Sequence, residues 1–429
     1  MKETNLKGTN AASDPGTVAI VGLGSVGLPL AATFVHAGLR VLGFDIDAER
    51  VAAVSRGERI LHHFPETLVQ DAALTGRLEA TADAERLAEV DAALICVPTP
   101  ISKEREPDLS CVRDAARTLA RNVQAGTLIV LESTTYPGTT RDVVGGIFAE
   151  EGKAALLAYS PEREDPGRRD WTTRTIPKLV GGTCERSGEL AERLYARAFE
   201  KVHRVERAEV AEAAKLFENV FRAVNIALVN EVKLAFDKLD LDVWEVLDAA
   251  ATKPFGFMKF APGPGLGGHC IPVDPFYLSW VARNAGEPTR FVELAGEINA
   301  SLPRRVVERT ARALAERERS LAGARVLVLG LAYKKGVDLV YESPSLRLIE
   351  LLREAGAEVV WSDPLIADWN GERSTTLDEA TLERVDAVVV ATDQPGFDYD
   401  LIAEHAELVV DTRNALADRL AGRAGYVKA

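Results

Sequence analysis

Cysteine is scarce in this chain of 429 residues, and what is missing around it excludes several classes. Cys96, Cys111, Cys184 and Cys270 form no Cys-X-X-Cys pair and no close Cys/His cluster, so no metal is expected. No run of about 18 apolar residues occurs, and the opening MKETNLKGTNAASDPG lacks the apolar stretch of a signal peptide. Residues 1–16 read as a flexible polar tail, and the chain as cytoplasmic with reduced thiols. Basic residues are also outnumbered. The 51 Lys and Arg face 65 Asp and Glu, for a formal charge of −14, which argues against non-specific binding to nucleic acid or to an anionic membrane. An anionic small molecule stays compatible, because helix N-termini and a few local cations can hold phosphates.

What is present is ordinary globular composition, with 47% apolar residues, at a length that suits two or three domains. Cys96 lies in the apolar run Ala-Leu-Ile-Cys-Val and Cys111 in a helical pattern, so core packing is expected for both. From Thr17, short β-branched runs alternate with helical stretches, the mark of parallel-sheet α/β units. TVAIVGLG reads as a strand entering a glycine turn, with a helix over Ser25 to Ala37. LRVLGFDID, DAALICVP, TLIVLES, AALLAYS and KLVGG read as further strands.

A helical stretch from Ala208 to Leu239 contains no Gly or Pro, and its apolar residues Val210, Ala213, Phe217, Val220, Val224, Ala227 and Leu228 recur near the helical period. Its length suits a connector between domains, a pairing face for another subunit, or a long buried helix in a monomer. The Pro/Gly-rich KPFGFMKFAPGPGLGGHCIPVDP that follows suits neither regular element. A further helix is expected around Arg304 to Glu318. A second α/β unit then begins with ARVLVLGLAYK, a helix over Ser345 to Ala355 and AEVVWSDP, and continues with the strands DAVVVATD and ELVVDTRN. The fold class is α/β, with two Rossmann-like domains joined by a long central helix and a helical dimerisation region. The expected division is 17–207, 208–320 and 321–429.

Gly22, Gly24 and Gly27 form GLGSVG between a strand and a helix, and Asp45 ends the second strand about 20 residues on, as a dinucleotide fingerprint requires. The carboxylate accepts ribose hydroxyls and repels a 2′-phosphate, so NAD is the expected cofactor. Arg50 either reaches the same adenosine end or is a solvated helix charge. Cys270 lies in GPGLGGHCIPVD, where flanking glycines would let a ligand approach the thiol. Position and spacing leave both a nucleophile and an ordinary thiol open, and His269 is either a base or a loop hydrogen-bonder. Lys215 and Asn219 stand four residues apart and share a helix face with Glu212 and Arg222. Such a pair can stabilise an alkoxide, although a solvated face of ordinary ion pairs fits the composition as well.

Together GLGSVGLPLA, CVPTP, EST, YSPEREDPG, KLFENVFRAVNIALVNE, PFGFMKFAPGPGLGGHCIPVDP, GLAYK, ESPSL and DTRN resemble the UDP-glucose/GDP-mannose dehydrogenase family, from about Thr17 to Asn414. That resemblance implies an NAD domain, a central dimerisation region and a nucleotide-sugar (UDP) domain. It implies two NAD-linked hydride removals from C6 of a UDP-sugar, with Cys270 carrying first a thiohemiacetal and then a thioester. By the same resemblance Lys215 and Asn219 stabilise the oxyanion, and Asp274 is an acid near the thiol that helps activate water. Glu162 and Thr134 stand near the hydrolytic water and the nicotinamide, and Thr99 contacts the cofactor. Phe257, Gly265, Lys334 and Arg413, with Glu162, Lys215 and Asn219, line the UDP-sugar site. YSPEREDPG and TIPKLVGG look like the branch acting on UDP-N-acetylglucosamine. Pro166 stands where the UDP-glucose branch carries a second glutamate, and UDP-N-acetylmannosamine stays an alternative. The chain departs from the family pattern at Leu339, Tyr341 and Gln394, where an acid, an arginine and a histidine are usual. Tyr341 alone motivates a non-catalytic nucleotide-sugar-binding protein as the contrasting reading. A hydroxyacid-type dehydrogenase is a further one, and would form one NADH per substrate instead of two.

Overall fold

A computed structural model of the chain describes residues 15–61, 67–102, 105–165, 170–268 and 270–429. The tail up to residue 14, Pro166 and His269 lie outside the described residues. The chain divides into two units, Met1–Leu216 and Phe217–Ala429.

The first unit holds an eight-stranded sheet built from β1 (Thr17–Val21), β2 (Arg40–Phe44), β3 (Leu78–Thr81), β4 (Ala92–Ile95), β5 (Leu128–Leu131), β6 (Leu156–Tyr159), β7 (Lys178–Gly182) and β8 (Val202–Val205). Their order is β3-β2-β1-β4-β5-β6-β7-β8, parallel throughout except for the antiparallel pair β6/β7. The central strands are buried on both faces, which is why they read as unbroken β-branched runs. Val21 pairs with both Phe44 and Ile95, so Gly22, Asp45 and Cys96 leave the sheet at one edge. Chain order reverses between β1 and β4, the switch point where open α/β sheets bind ligands.

The second unit carries a parallel sheet of order β10-β9-β13-β14-β15. These strands are β9 (Arg325–Leu329), β10 (Glu358–Ser362), β13 (Ala387–Val390), β14 (Val409–Asp411) and β15 (Tyr426–Lys428), with a small hairpin of β11 (Asp368–Trp369) and β12 (Glu372–Arg373) between. Its switch point lies between β9 and β13. Each of the two Rossmann-like sheets begins alike. Gly22 N–H donates to the Phe44 carbonyl and Gly330 N–H to the Ser362 carbonyl, both at 2.8 Å.

The long helix spans Ala208–Lys238. Beside its buried apolar residues the helix also buries polar ones, and it leaves some large apolar ones exposed. Phe217, Phe221 and Leu228 are exposed, whereas Glu212, Lys215, Asn219, Asn230 and Lys233 are buried. The solvated-face reading of the polar stripe is therefore corrected. Buried polar groups need partners, and Glu212 has three, the N–H groups of Gly138 and Thr140 and the Thr140 hydroxyl.

Two other expectations are corrected. Cys111 is exposed, since helix Ser110–Asn122 buries Val112, Ala115, Ala116, Leu119 and Ala120 and turns position 111 outward. The helix expected from Arg304 begins at Arg290 and runs to Ala315, straight through Pro303. A proline ordinarily ends a helix; here Pro303, like Leu302 and Val306, is buried, so packing outweighs the lost hydrogen bond. Among the described residues no helix is long and apolar enough to cross a membrane.

Candidate active site

Within the first unit, the glycine turn follows β1 and opens helix Gly27–His36. Gly22 has φ +99°, and a Cβ there would lie 2.8 Å from the Cys96 carbonyl oxygen. A Cβ on Gly27 would lie 1.8 Å from the Gly22 carbonyl oxygen, so helix and turn touch through hydrogen. Gly24 differs, because a Cβ there would meet nothing within 4 Å. Among the described residues nothing crowds position 24, which leaves the backbone there open to close approach. Asp45 is buried at the end of β2; its Oδ2 accepts from Leu23 N–H at 2.8 Å and its Oδ1 from Asp47 N–H at 3.0 Å. Arg50 Nη1 lies 3.7 Å from Asp45 Oδ2. The turn and the acid thus form one hydrogen-bonded cradle with the donors and acceptors a dinucleotide takes. Thr99 is buried on the loop after β4, and Thr134 is half-buried on the loop after β5. Ser133 Oγ ties those loops by donating to the Val97 carbonyl at 2.7 Å.

Glu162 follows β6. Its Oε1 accepts from the N–H groups of Arg163 and Glu164, both at 2.7 Å. Burial opposes its ionisation, but the Lys178 ammonium, those two N–H groups and Lys215 together hold the carboxyl below the ordinary glutamate range. Glu164, two residues on, goes the other way, pushed up to about 7 by burial and by the Glu162 charge. Lys215 is buried and has no hydrogen-bond partner among the described residues. A lysine held so is poised to meet negative charge that arrives or develops on a ligand.

The second unit brings Asn219, Asp274 and Cys270 together. Asn219 Nδ2 donates to Asp274 Oδ2 at 2.5 Å, in a buried contact. One amide hydrogen remains for a ligand oxygen. Asp274 opens helix Asp274–Asn284, where the helix dipole favours a carboxylate. Its N–H and that of Val273 donate to the Cys270 carbonyl at 2.8 and 3.1 Å, so one turn fixes both the thiol residue and the acid. Cys270 is half-buried. The preceding loop packs tightly. Gly268 has φ +91° and donates its N–H to the Tyr341 carbonyl at 2.8 Å, and a Cβ on it would lie 2.9 Å from the Tyr333 ring.

In the same unit, Asp363 Oδ2 accepts from the N–H groups of Leu331 and Ala332, where Asp45 Oδ2 in the first sheet accepts from Leu23 N–H alone. Lys334 is half-buried on the same turn. Arg413, after β14, donates Nε–H to the Ala391 carbonyl at 2.8 Å. A Cβ on Gly263 would lie 2.4 Å from Arg413 Nη1 and one on Gly265 3.0 Å from Pro344, so the Pro/Gly-rich loop runs over both. Phe257 is exposed. Tyr341 is exposed, Leu339 packs against the unit's core, and Gln394 is fully buried. Gln394 Oε1 accepts from Gly336 N–H at 2.7 Å and its Nε2 donates to the Val337 carbonyl at 2.9 Å, so the amide braces the turn behind Lys334.

The reading from sequence missed a buried charge cluster. Lys178 Nζ donates to Glu132 Oε2 at 2.8 Å and to the Pro161 carbonyl at 3.1 Å, and lies 3.5 Å from Glu162 Oε2. Tyr195 OH donates to the other Glu132 oxygen. The signal was there: a lysine opening the strand KLVGG, flanked by apolar residues, is buried only with a partner.

Residues 16–199 match the NAD binding domain of the UDP-glucose/GDP-mannose dehydrogenase family, 209–301 its central domain and 327–418 its UDP binding domain. A UDP-N-acetyl-D-mannosamine dehydrogenase of Pyrococcus horikoshii is 34% identical over 412 residues, 94% of this chain and 96% of that protein. A UDP-N-acetyl-D-glucosamine 6-dehydrogenase of Pseudomonas aeruginosa is 34% identical over 359 residues, 82% of this chain and 83% of its own length. The solved structure of the UDP-D-ManNAc dehydrogenase from Pyrococcus horikoshii superposes with a TM-score of 0.87 at 32% identity, covering 96% of this chain and 98% of that one.

Proposed function

Because this chain belongs to the UDP-glucose/GDP-mannose dehydrogenase family, and is by that membership an NAD-dependent oxidoreductase, we propose that it oxidises C6 of a UDP-N-acetylhexosamine to the carboxylate through a thioester on Cys270. NAD, when bound, supplies the hydride acceptor, once for the alcohol and once for the thiohemiacetal. Gly22, Gly24, Gly27 and Asp45 would hold its pyrophosphate and adenosine ribose, with Arg50, Thr99 and Thr134 as further contacts. Lys334 and Arg413 would meet the UDP diphosphate, while Phe257 and Gly265 line the sugar nucleotide's path. Lys215 and Asn219 would stabilise the negative charge on the C6 oxygen, and Glu162 would take a proton from the hydrolytic water. The division of labour is an NAD domain over 17–207, a central region over 208–320 and a UDP domain over 321–429.

The observation that carries this reading is the buried polar face of the long helix. Lys215 has no hydrogen-bond partner among the described residues, and Asn219 is bound to Asp274, whose own turn holds Cys270. We take UDP-N-acetylmannosamine as substrate, since relatives matched over nearly their full length bear that name. The gluco epimer, expected from YSPEREDPG and TIPKLVGG, is the second reading, favoured by the relatives from Pseudomonas aeruginosa and Salmonella typhi. NADH absorbance with product mass, measured over both epimers, UDP-glucose and GDP-mannose, tests it. The expected result is two NADH per sugar with the manno epimer preferred. One NADH per sugar means a simple alcohol dehydrogenase; tight UDP-sugar binding with no NADH means a non-catalytic binding protein.

Two further results are expected. Asp45→Ala should raise the KM for NAD by about tenfold or more, the value of one charged hydrogen bond, while the KM for the sugar changes less than twofold. Equal effects on both would remove the ribose assignment. The exposed apolar residues Phe217, Leu228, Phe291 and Leu294 form the proposed pairing surface of a homodimer. Light scattering should find a dimer, and Phe291→Glu a monomer; a wild-type monomer would remove that part of the account.

A further inference from the structure

Six side chains of the first unit gather around Glu162, five of them from other parts of the fold. Lys178 comes from the first residue of β7 and Glu132 from the loop after β5. Tyr195 comes from helix Glu185–Ala196, Cys96 from the end of β4, Glu164 from the same loop, and Lys215 from the long helix. Lys178 and Glu132 are almost wholly buried, with side-chain exposures of 3% and 0%. Their hydrogen bonds leave little choice of arrangement. An ammonium has three N–H donors, and Lys178 directs them at Glu132 Oε2, the Pro161 carbonyl and Glu162 Oε2. Glu162 Oε1 is taken by two backbone N–H groups, so Oε2, facing Lys178 across the longer 3.5 Å gap, is the oxygen with lone pairs to spare.

A buried ion pair with well-packed neighbours is seldom kept for stability, because desolvation offsets most of the attraction. Here the ammonium touches two carboxylates at different distances, and only one of them belongs to the proposed site.

We propose that Lys178 is a positioning residue for thioester hydrolysis: it keeps Glu162 ionised and aims its Oε2, while Glu132, held by Tyr195, anchors the lysine from behind. The inference rests on the assignment of Glu162 to the hydrolytic step. In that step the water oxygen adds to the thioester carbon, one water proton passes to Glu162 Oε2, and the C–S bond breaks with its electron pair on the Cys270 sulfur. A protonated Glu162 cannot accept that proton.

The surrounding groups agree on direction. Lys178 and Lys215 favour the Glu162 charge, whereas Glu164 and Glu132, both pushed up to about 7 chiefly by burial, oppose it when ionised. Burial pushes the Cys96 thiol up, so that neighbour stays neutral.

The test is the single-turnover rate of thioester hydrolysis against pH. Lys178→Met should move the acid limb up by about one unit or more, the usual influence of an opposite charge at this range. NADH formation in the first hydride step should persist. Glu132→Gln, also a change of charge in the same core, should leave the limb at or below its wild-type position. If Lys178→Met fails to fold, Lys178→Met/Glu132→Gln removes both charges together and should fold, with its acid limb still raised. The inference is overturned if the limb stays put without the ammonium, or if Glu132→Gln raises it as far as Lys178→Met does. Glu162→Gln separates the two layers. If it hydrolyses the thioester at the wild-type rate, the role of Glu162 falls and this inference with it. If it accumulates thioester while Lys178→Met leaves the limb unmoved, only this inference falls.

Discussion

Cys270→Ser should lower carboxylate formation by at least about 10³-fold, the scale on which loss of a covalent nucleophile acts, while the dissociation constant for NAD changes less than twofold. The two halves of this result come from different parts of the chain. The glycine turn and Asp45 are closed by hydrogen bonds among residues 22–47, none of which involves residue 270. The thiol residue is fixed by its own turn, in which its carbonyl accepts from Val273 and Asp274. Serine occupies the same backbone without strain, so the variant should fold. What it loses is chemistry: an alkoxide leaves far less readily than a thiolate, and an ester hydrolyses far more slowly than a thioester. Quenched-flow product analysis should find at most a trace of acid. Acid formation at the wild-type rate would refute covalent catalysis.

Lys215→Ala should cost about 10²–10³ in kcat, the usual cost of a donor aimed at a developing oxyanion, with little change in the KM for NAD. Lys215 is buried, has no hydrogen-bond partner among the described residues, and acts electrostatically on Glu162. Its removal should therefore leave no hydrogen-bond acceptor stranded, and thermal stability should hold or rise. That combination separates it from Glu212 on the same face, which satisfies two N–H groups and a hydroxyl and should destabilise the fold when truncated. A Lys215→Ala enzyme with normal kcat, or one that unfolds, would contradict the assignment.

Both sheets were legible in the sequence because strands buried on two faces must be β-branched runs, and because a tight strand-to-helix turn must be glycine-rich. Gly22, Gly24, Gly27 and Asp45 were legible for the same local reason. The polar face of the long helix was not. Glu212, Lys215 and Asn219 are the residue types that usually face water, and what buries Glu212 is contributed by Gly138 and Thr140, more than 70 positions earlier. Glu132 and Lys178 are 46 residues apart and looked like two unrelated strand ends. Pro303 misled in the opposite way, since a local rule that usually ends a helix was overridden by burial. Short-range propensities reveal elements. Charge pairs made across strands and helices become readable only when the topology sets them side by side. Gln394 shows the same limit: the unusual residue is a fully paired brace for the turn that carries Lys334, which its position in the sequence did not suggest.

The central claim is that a sugar carbon becomes bonded to the Cys270 sulfur during oxidation. The most direct test is the intact mass of Glu162→Gln enzyme, quenched in acid after one turnover with NAD and UDP-N-acetylmannosamine, followed by peptide mapping. The account predicts a mass increase equal to the acylating nucleotide sugar, located on the peptide containing Cys270 and absent in Glu162→Gln/Cys270→Ser. An unmodified Cys270 peptide, in enzyme that has formed NADH, would contradict it.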